Sequence, residues 1–126
     1  MKRTETTGAW GELLAAKYLR KKKYRILNMN FSCRLGEIDI IAENGEFLVF
    51  AEVKLRKDDT HGQAREFVTA QKQQRLRKAA LMYLSQMQEA GADADDLQPR
   101  FDVIEIYAPL GKKTRKPEIF HLEDAF

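Results

Sequence analysis

The sequence predicts one α/β domain over residues 1–126, a mixed β-sheet flanked by helices in the order α-β-β-β-α-β-β. Three observations carry that expectation. Two amphipathic stretches with helical spacing bracket three extended segments, and two more extended segments follow the second helix. An Asn44-Gly45 pair between two β-rich runs signals a hairpin. A chain of 126 residues makes one domain of ordinary size and leaves little room for another.

Thr6 or Thr7 can cap a first helix running through Trp10, Leu14 and Ala15 to Leu19, and the Arg20-Lys21-Lys22-Lys23 run that ends it suits a helix C-terminus. Residues 24–33 read as extended, with Ile26, Leu27 and Phe31 among polar neighbours. Residues 36–42 and 47–55 form the hairpin arms about an Asn44-Gly45 loop, and a loop over 57–65 containing His61-Gly62 follows. Thr69 can cap a second helix, whose stripe Leu76, Ala79, Ala80, Tyr83, Leu84 and Met87 faces a core. An acidic loop over 89–99 leads to a strand at 101–107, a basic turn around Gly111 and a last strand near 119–122.

Composition excludes several classes. With 44% hydrophobic and 33% charged residues, the chain can bury a core under a charged surface, so disorder throughout is not expected. Its apolar runs are only a few residues long, far short of the roughly 20 a membrane-spanning helix needs. The start, Met1-Lys2-Arg3-Thr4-Glu5, leads into a polar segment rather than the apolar core of a secretion signal, and a cytoplasmic location is expected. Cys33 is the sole cysteine, a reduced and partly buried thiol on this reading, and no Cys/His cluster has zinc spacing. The net charge of +3 is compatible with nucleic acid. Basic residues gather at 17–25, 54–57, 72–78 and 112–116, against acids at Asp93, Asp95 and Asp96; such segregation can track a phosphate backbone or simply form solvated faces.

The hairpin carries the chemistry. With Asn44 and Gly45 as the loop, Glu37 faces Glu52 and Asp39 faces Phe50. One face is then wholly apolar: Ile38, Ile40, Ala42, Phe47, Val49, Ala51, Val53 and Leu55. The other is apolar near the turn, at Ile41, Leu48 and Phe50, and charged away from it, at Glu37, Asp39, Glu52 and Lys54. Cross-strand neighbours lie about 5 to 8 Å apart, so three carboxylates crowd one patch. Carboxylates forced together take up protons or share a cation, and hard oxygen donors suit Mg²⁺ or Mn²⁺. The hairpin alone leaves a second reading open, an exposed sheet end with surface ion pairs worth about 1 kcal/mol or less.

Glu12 adds weight to the first. The spacing 8, 12, 15, 16, 19 sets it in one helical stripe with Gly8, Ala15, Ala16 and Leu19, where Gly8 and Gly11 would let helix and sheet approach closely. Its alternative role is a first-turn glutamate favoured by the helix dipole.

These residues resemble the PD-(D/E)xK nuclease superfamily, in which an acid ends one strand and an acid-x-lysine follows on the next: here Asp39 and Glu52-Val53-Lys54. More closely, Gly8-x-x-Gly11-Glu12, Gly36-Glu37-Ile38-Asp39-Ile40-Ile41-Ala42, Phe50-Ala51-Glu52-Val53-Lys54-x-Arg56, Arg100-Phe101-Asp102-Val103 and the Ala125-Phe126 ending resemble the YraN-like family of predicted endonucleases. Members usually have valine where this chain has Ala51, a buried-face position whose change touches packing rather than chemistry.

The resemblance implies a restriction-endonuclease-like core and a site similar to that of Holliday-junction resolvases. It implies phosphodiester hydrolysis by metal-activated water, most readily on structured or branched DNA. Asp39 and Glu52 would ligate Mg²⁺ or Mn²⁺ with the Val53 carbonyl, Glu12 would hold a second ion or a bound water, and Lys54 would orient the attacking water. Glu37 would serve as an outer-sphere partner. Lys72, Gln71, Arg56 and Arg75 would contact the nucleic acid, although a solvated first-turn lysine describes Lys72 equally well. His61 lacks a paired partner and is left out of the site, His121 reads as structural, and Trp10 and Tyr18 read as core rather than as stacking platforms. The competing class is a non-catalytic nucleic-acid-binding module that retains fold and acidic site; a protein scaffold is a third. A homodimer is allowed for, since two strands need two sites, but no segment marks an interface.

Overall fold

The structure, a computed structural model, describes residues 7–57, 68–92 and 96–126. Helix α1 (Thr7–Lys21) is followed by strands β1 (Arg25–Cys33), β2 (Gly36–Glu43) and β3 (Phe47–Arg56), helix α2 (Ala70–Glu89), and strands β4 (Gln98–Tyr107) and β5 (Glu118–Leu122). The predicted order and the mixed α/β class are both found. The sheet runs β1-β2-β3-β4-β5, antiparallel throughout except for the parallel β3–β4 pair that α2 connects. Among the described residues no helix is long and apolar enough to cross a membrane. Thr6, the loop residues 58–65 with His61, and Asp93 and Asp95 lie outside the described residues.

Each helix covers one sheet face. Ala15, Ala16 and Leu19 of α1 meet Ile40, Ala42, Val49, Ala51, Ile104 and Ile106, whereas Leu76, Ala79 and Ala80 of α2 meet Ile38, Ile41, Leu48, Phe50 and Val103. The hydroxyl of Thr69 accepts from the Lys72 N–H at 3.2 Å, the predicted cap. Trp10 and Tyr18 pack against the α1-side core, as expected.

Three expectations are corrected. The hairpin loop is Gly45-Glu46 rather than Asn44-Gly45, giving pairs Ile40↔Ala51, Ile41↔Phe50, Ala42↔Val49 and Glu43↔Leu48. Asn44 Oδ1 accepts from the N–H groups of Glu46 and Phe47 at 3.0 and 2.8 Å, which keeps Asn44 in the arm and puts Gly45, at φ +91°, first in the turn. The pair sum moves by two, an even step, so most face assignments survive.

The second correction is to Gly8 and Gly11, which no close approach demands. Gly8 faces open space, and a Cβ on Gly11 would meet Leu55 at an ordinary 3.6 Å. The third is to β4, which begins at Gln98 within the stretch read as a loop and includes Pro99. Gln98 N–H already donates to Glu46 O at 2.8 Å, and β5 joins β4 only from Val103. In an alternating ladder the missing donor of Pro99 therefore points away from β3, where no strand is paired.

Candidate functional site

Asp39 stands where the regular hairpin comes apart. Pairing of β2 with β3 ends at Ile40↔Ala51, while β3 stays paired with β4 along its whole length. One residue past that end, Asp39 Oδ2 accepts the Val53 N–H at 2.8 Å, a side chain taking the place of a ladder carbonyl. The β1–β2 ribbon also turns over here. Met29 and its partner Ile40 belong to the α1-side core, whereas Phe31 and its partner Ile38 belong to the α2-side core. Between those pairs lie Asn30, at φ +57°, and Asp39. Ile38 therefore does not share a face with Ile40, as strict alternation predicted. A left-handed residue in one strand lets the ribbon reverse without loss of pairing on either side.

The carboxylates come from three elements. Glu12 of α1 and Glu52 of β3 are each 8% exposed, and both act on Asp39. Burial first, then the charges of Glu52 and Glu12, push the Asp39 carboxyl up to about 7, against the lowering effects of the Val53 N–H and of Lys72. Lys72 Nζ donates to Glu52 Oε1 at 2.5 Å. The charge of Lys72, at the start of α2, thus faces a buried carboxylate instead of lying free in solvent. Lys54 is half-buried on the same alternation of β3 as Glu52. The donor set is hard oxygen, the kind that suits Mg²⁺ or Mn²⁺. Among the described residues, no group of three or more His, Cys, Asp or Glu is arranged closely enough to hold a metal ion.

Beside this centre opens a cleft of 370 Å³ lined by Gly36, Glu37, Thr69, Gln71, Lys72, Arg75 and Leu76. Gly36 is required there, since a Cβ would sit 3.1 Å from the Arg75 carbonyl oxygen. Glu37 is exposed and lines the cleft, but it is not among the charges acting on Asp39. Gln71 and Arg75 are exposed in the same cleft. Arg56, expected at the nucleic acid, is placed elsewhere: it is 9% exposed and its guanidinium faces the fully buried Glu105 at 3.8 Å.

A model described as "Uncharacterised protein family UPF0102" matches residues 11–106, which takes in Glu12, Asp39, Glu52, Lys54 and Lys72. The chain belongs to the UPF0102 family. It is 42% identical over 122 residues to a UPF0102 protein of Caldanaerobacter subterraneus, covering 97% of this chain and 95% of that one. A UPF0102 protein of Geotalea daltonii is 45% identical over 124 residues, covering 97% and 90% respectively. The YraN-like resemblance read from the motifs is the same family, and it is borne out.

This member of UPF0102 also carries a buried polar network that residue spacing did not identify. The Arg100 guanidinium donates to both Asp102 oxygens, at 2.9 and 2.8 Å, and to Tyr24 Oη at 2.7 Å. His121 Nε2 lies 2.6 Å from Asp102 Oδ2, and its Nδ1 lies 3.1 Å from Tyr18 Oη. Burial raises the Asp102 carboxyl, yet the hydrogen bonds from His121 and Arg100 outweigh it and hold the group below its ordinary range. The network ties α1, β4 and β5 together, so His121 is structural as expected. Its signal was an Arg and an Asp two apart at the head of an apolar strand, where alternation sets them on one face. Glu105, in contrast, has no hydrogen-bond partner on either oxygen among the described residues.

Proposed function

We propose that this protein is a metal-dependent nuclease that hydrolyses phosphodiester bonds of nucleic acid, with structured or branched DNA as the favoured substrate. What carries the reading is that Asp39, hooked to the Val53 N–H, feels the charges of both Glu52 of β3 and Glu12 of α1, two further carboxylates that are themselves buried. Carboxylates from three elements that act on one another are costly to hold together unless a cation offsets their charge. That Glu52 already takes an ammonium at 2.5 Å is further support for a cation there.

Asp39 and Glu52, with the Val53 carbonyl, would hold one ion, and Glu12 would hold a second ion or a bound water. When bound, Mg²⁺ or Mn²⁺ supplies Lewis-acid activation of water and shields the phosphate from the carboxylates. Lys54 orients the attacking water and offsets charge developing on the phosphate oxygens. Lys72 would meet the phosphate together with Gln71 and Arg75, its neighbours in the cleft. Glu37 accepts hydrogen bonds from waters at the cleft mouth.

A second reading is a nucleic-acid-binding module that retains the fold and the acidic site but does not cut. Labelled duplex, single-stranded, flap and four-way-junction DNA, incubated with Mg²⁺ or Mn²⁺, separates the two. Cleavage by wild type that disappears in both Asp39→Ala and Glu52→Ala supports the nuclease. Cleavage that persists in both mutants refutes the site, and binding by all three proteins without any cleavage supports the module.

A further inference from the structure

We infer that the outer face of α1, continued by the 3-10 turn Gly111–Lys113 and the segment after it, is a second contact surface for the phosphate backbone of double-stranded DNA, apart from the carboxylate centre. The inference rests on the proposed function only in taking nucleic acid as the partner.

Leu13, Lys17, Arg20 and Lys21 follow i, i+4, i+7 and i+8 spacing and are all exposed, on the side of α1 away from Ala15, Ala16 and Leu19. Glu12 is the one acidic residue of α1, and it is buried. The 3-10 turn abuts the start of the helix, with Thr7 Cγ2 4.0 Å from where a Gly111 Cβ would lie. It adds the exposed cations Lys113, Arg115 and Lys116. None of these six cations has a carboxylate partner among the described residues, whereas Arg25, Arg56, Lys72 and Arg100 all do. Exposed cations without carboxylate partners hold positive charge that a polyanion can neutralise, with release of its counterions.

The occupant is read from spacing and from what the surface lacks. Four residues of helix rise about 6 Å, close to two base-pair steps of about 3.4 Å along one strand, so Lys17 and Lys21 can meet phosphates of the same strand. A single strand would need open aromatic platforms for its bases, but Trp10 and Tyr18 pack against the core. The surface lies on the sheet face opposite α2 and its cleft, so it reaches phosphates that the cleft cannot.

The test measures binding of a fluorescent duplex of about two helical turns (~21 base pairs) across a salt series in EDTA, so that cleavage plays no part. Charge reversal in K17E/R20E/K21E, and separately in K113E/R115E/K116E, is expected to weaken binding. Each reversal should also lower the salt slope by about 0.9 for every phosphate left without its cation, roughly 2 to 3 for each triple. Should a reversal triple lose its circular dichroism spectrum, K17Q/R20Q/K21Q is read in its place, with the same direction expected. Unchanged slopes in both sets overturn the inference, as does tighter binding to phosphatidylserine vesicles than to duplex. Failure of cleavage elsewhere leaves these slopes unaffected, so the two readings fail separately.

Discussion

Lys72 of α2 donates to Glu52 of β3 at 2.5 Å, so a partly exposed cation neutralises a buried carboxylate at the mouth of the cleft. Truncation in Lys72→Ala leaves Glu52 buried without that partner. With the lysine partly in solvent, the expected loss is about 1 kcal/mol. Melting in EDTA should show it as a drop of a few degrees, and saturating Mn²⁺ should recover most of it. If the proposed function holds, cleavage falls about tenfold or more in the same variant. A variant as stable as wild type and equally active would remove Lys72 from the site.

Asp39 sets a pH dependence whose sign is fixed. Its carboxyl is pushed up to about 7 from an ordinary 3.8, by burial and by Glu52 and Glu12. The folded protein therefore keeps a proton that the unfolded chain releases between those values. The stabilisation this gives is full below about pH 4 and is lost as pH rises through about 7. Asp39→Asn should flatten that part of the stability profile and be the more stable protein at pH 8 without metal. Mn²⁺ should raise the melting temperature of wild type at pH 8 more than that of the variant. Equal profiles for the two proteins would show that the carboxylates do not strain one another.

Removing Asp102 tests the network rather than the chemistry. Asp102→Ala leaves Arg100 buried without its carboxylate, and about 3 to 5 kcal/mol of stability is expected to be lost. Because the folded carboxyl is held low, the wild-type contribution is present above about pH 4 and fades as pH falls further. Urea titration at pH 7 and pH 3 measures both, and an unaltered midpoint in the variant would count against the network's role.

The Arg56 and Glu105 pair invites the opposite outcome. Among the described residues both oxygens of Glu105 and Nη1 of Arg56 are buried without hydrogen bonds, and the two ions sit 3.8 Å apart. Coulomb attraction at that distance does not fully offset desolvation. Arg56→Met with Glu105→Leu should be neutral or stabilising, whereas Glu105→Ala alone should cost about 3 kcal/mol or more. A double variant much weaker than either single would mean that the pair stabilises the fold.

Much of this was legible in the residues themselves. Hydrophobic periodicity located both helices and all five strands, and Thr69 marked the start of α2 because its hydroxyl can satisfy a free amide there. The hairpin faces survived a wrong loop assignment, since a shift of the pair sum by two keeps parity. What periodicity could not reveal was the reversal at Asn30 and Asp39, because a single left-handed residue leaves no mark on the alternation beyond it. Arg56 was misjudged for a related reason: whether a strand cation meets solvent or a buried acid depends on the neighbouring strand, and Glu105 lies 49 positions away.

The amino-acid pattern by itself determined the class of fold, the element order, and the identity of Glu12, Asp39, Glu52 and Lys54 as the residues to watch. These follow from local rules: side-chain period, capping groups and the cost of like charges on one strand pair. Only the tertiary structure decided that β2 leaves β3 at Asp39, that Lys72 closes on Glu52, and that Arg100, Asp102 and His121 lock α1 to the sheet. Such facts depend on which distant segments pack together, and packing is decided by the whole chain at once.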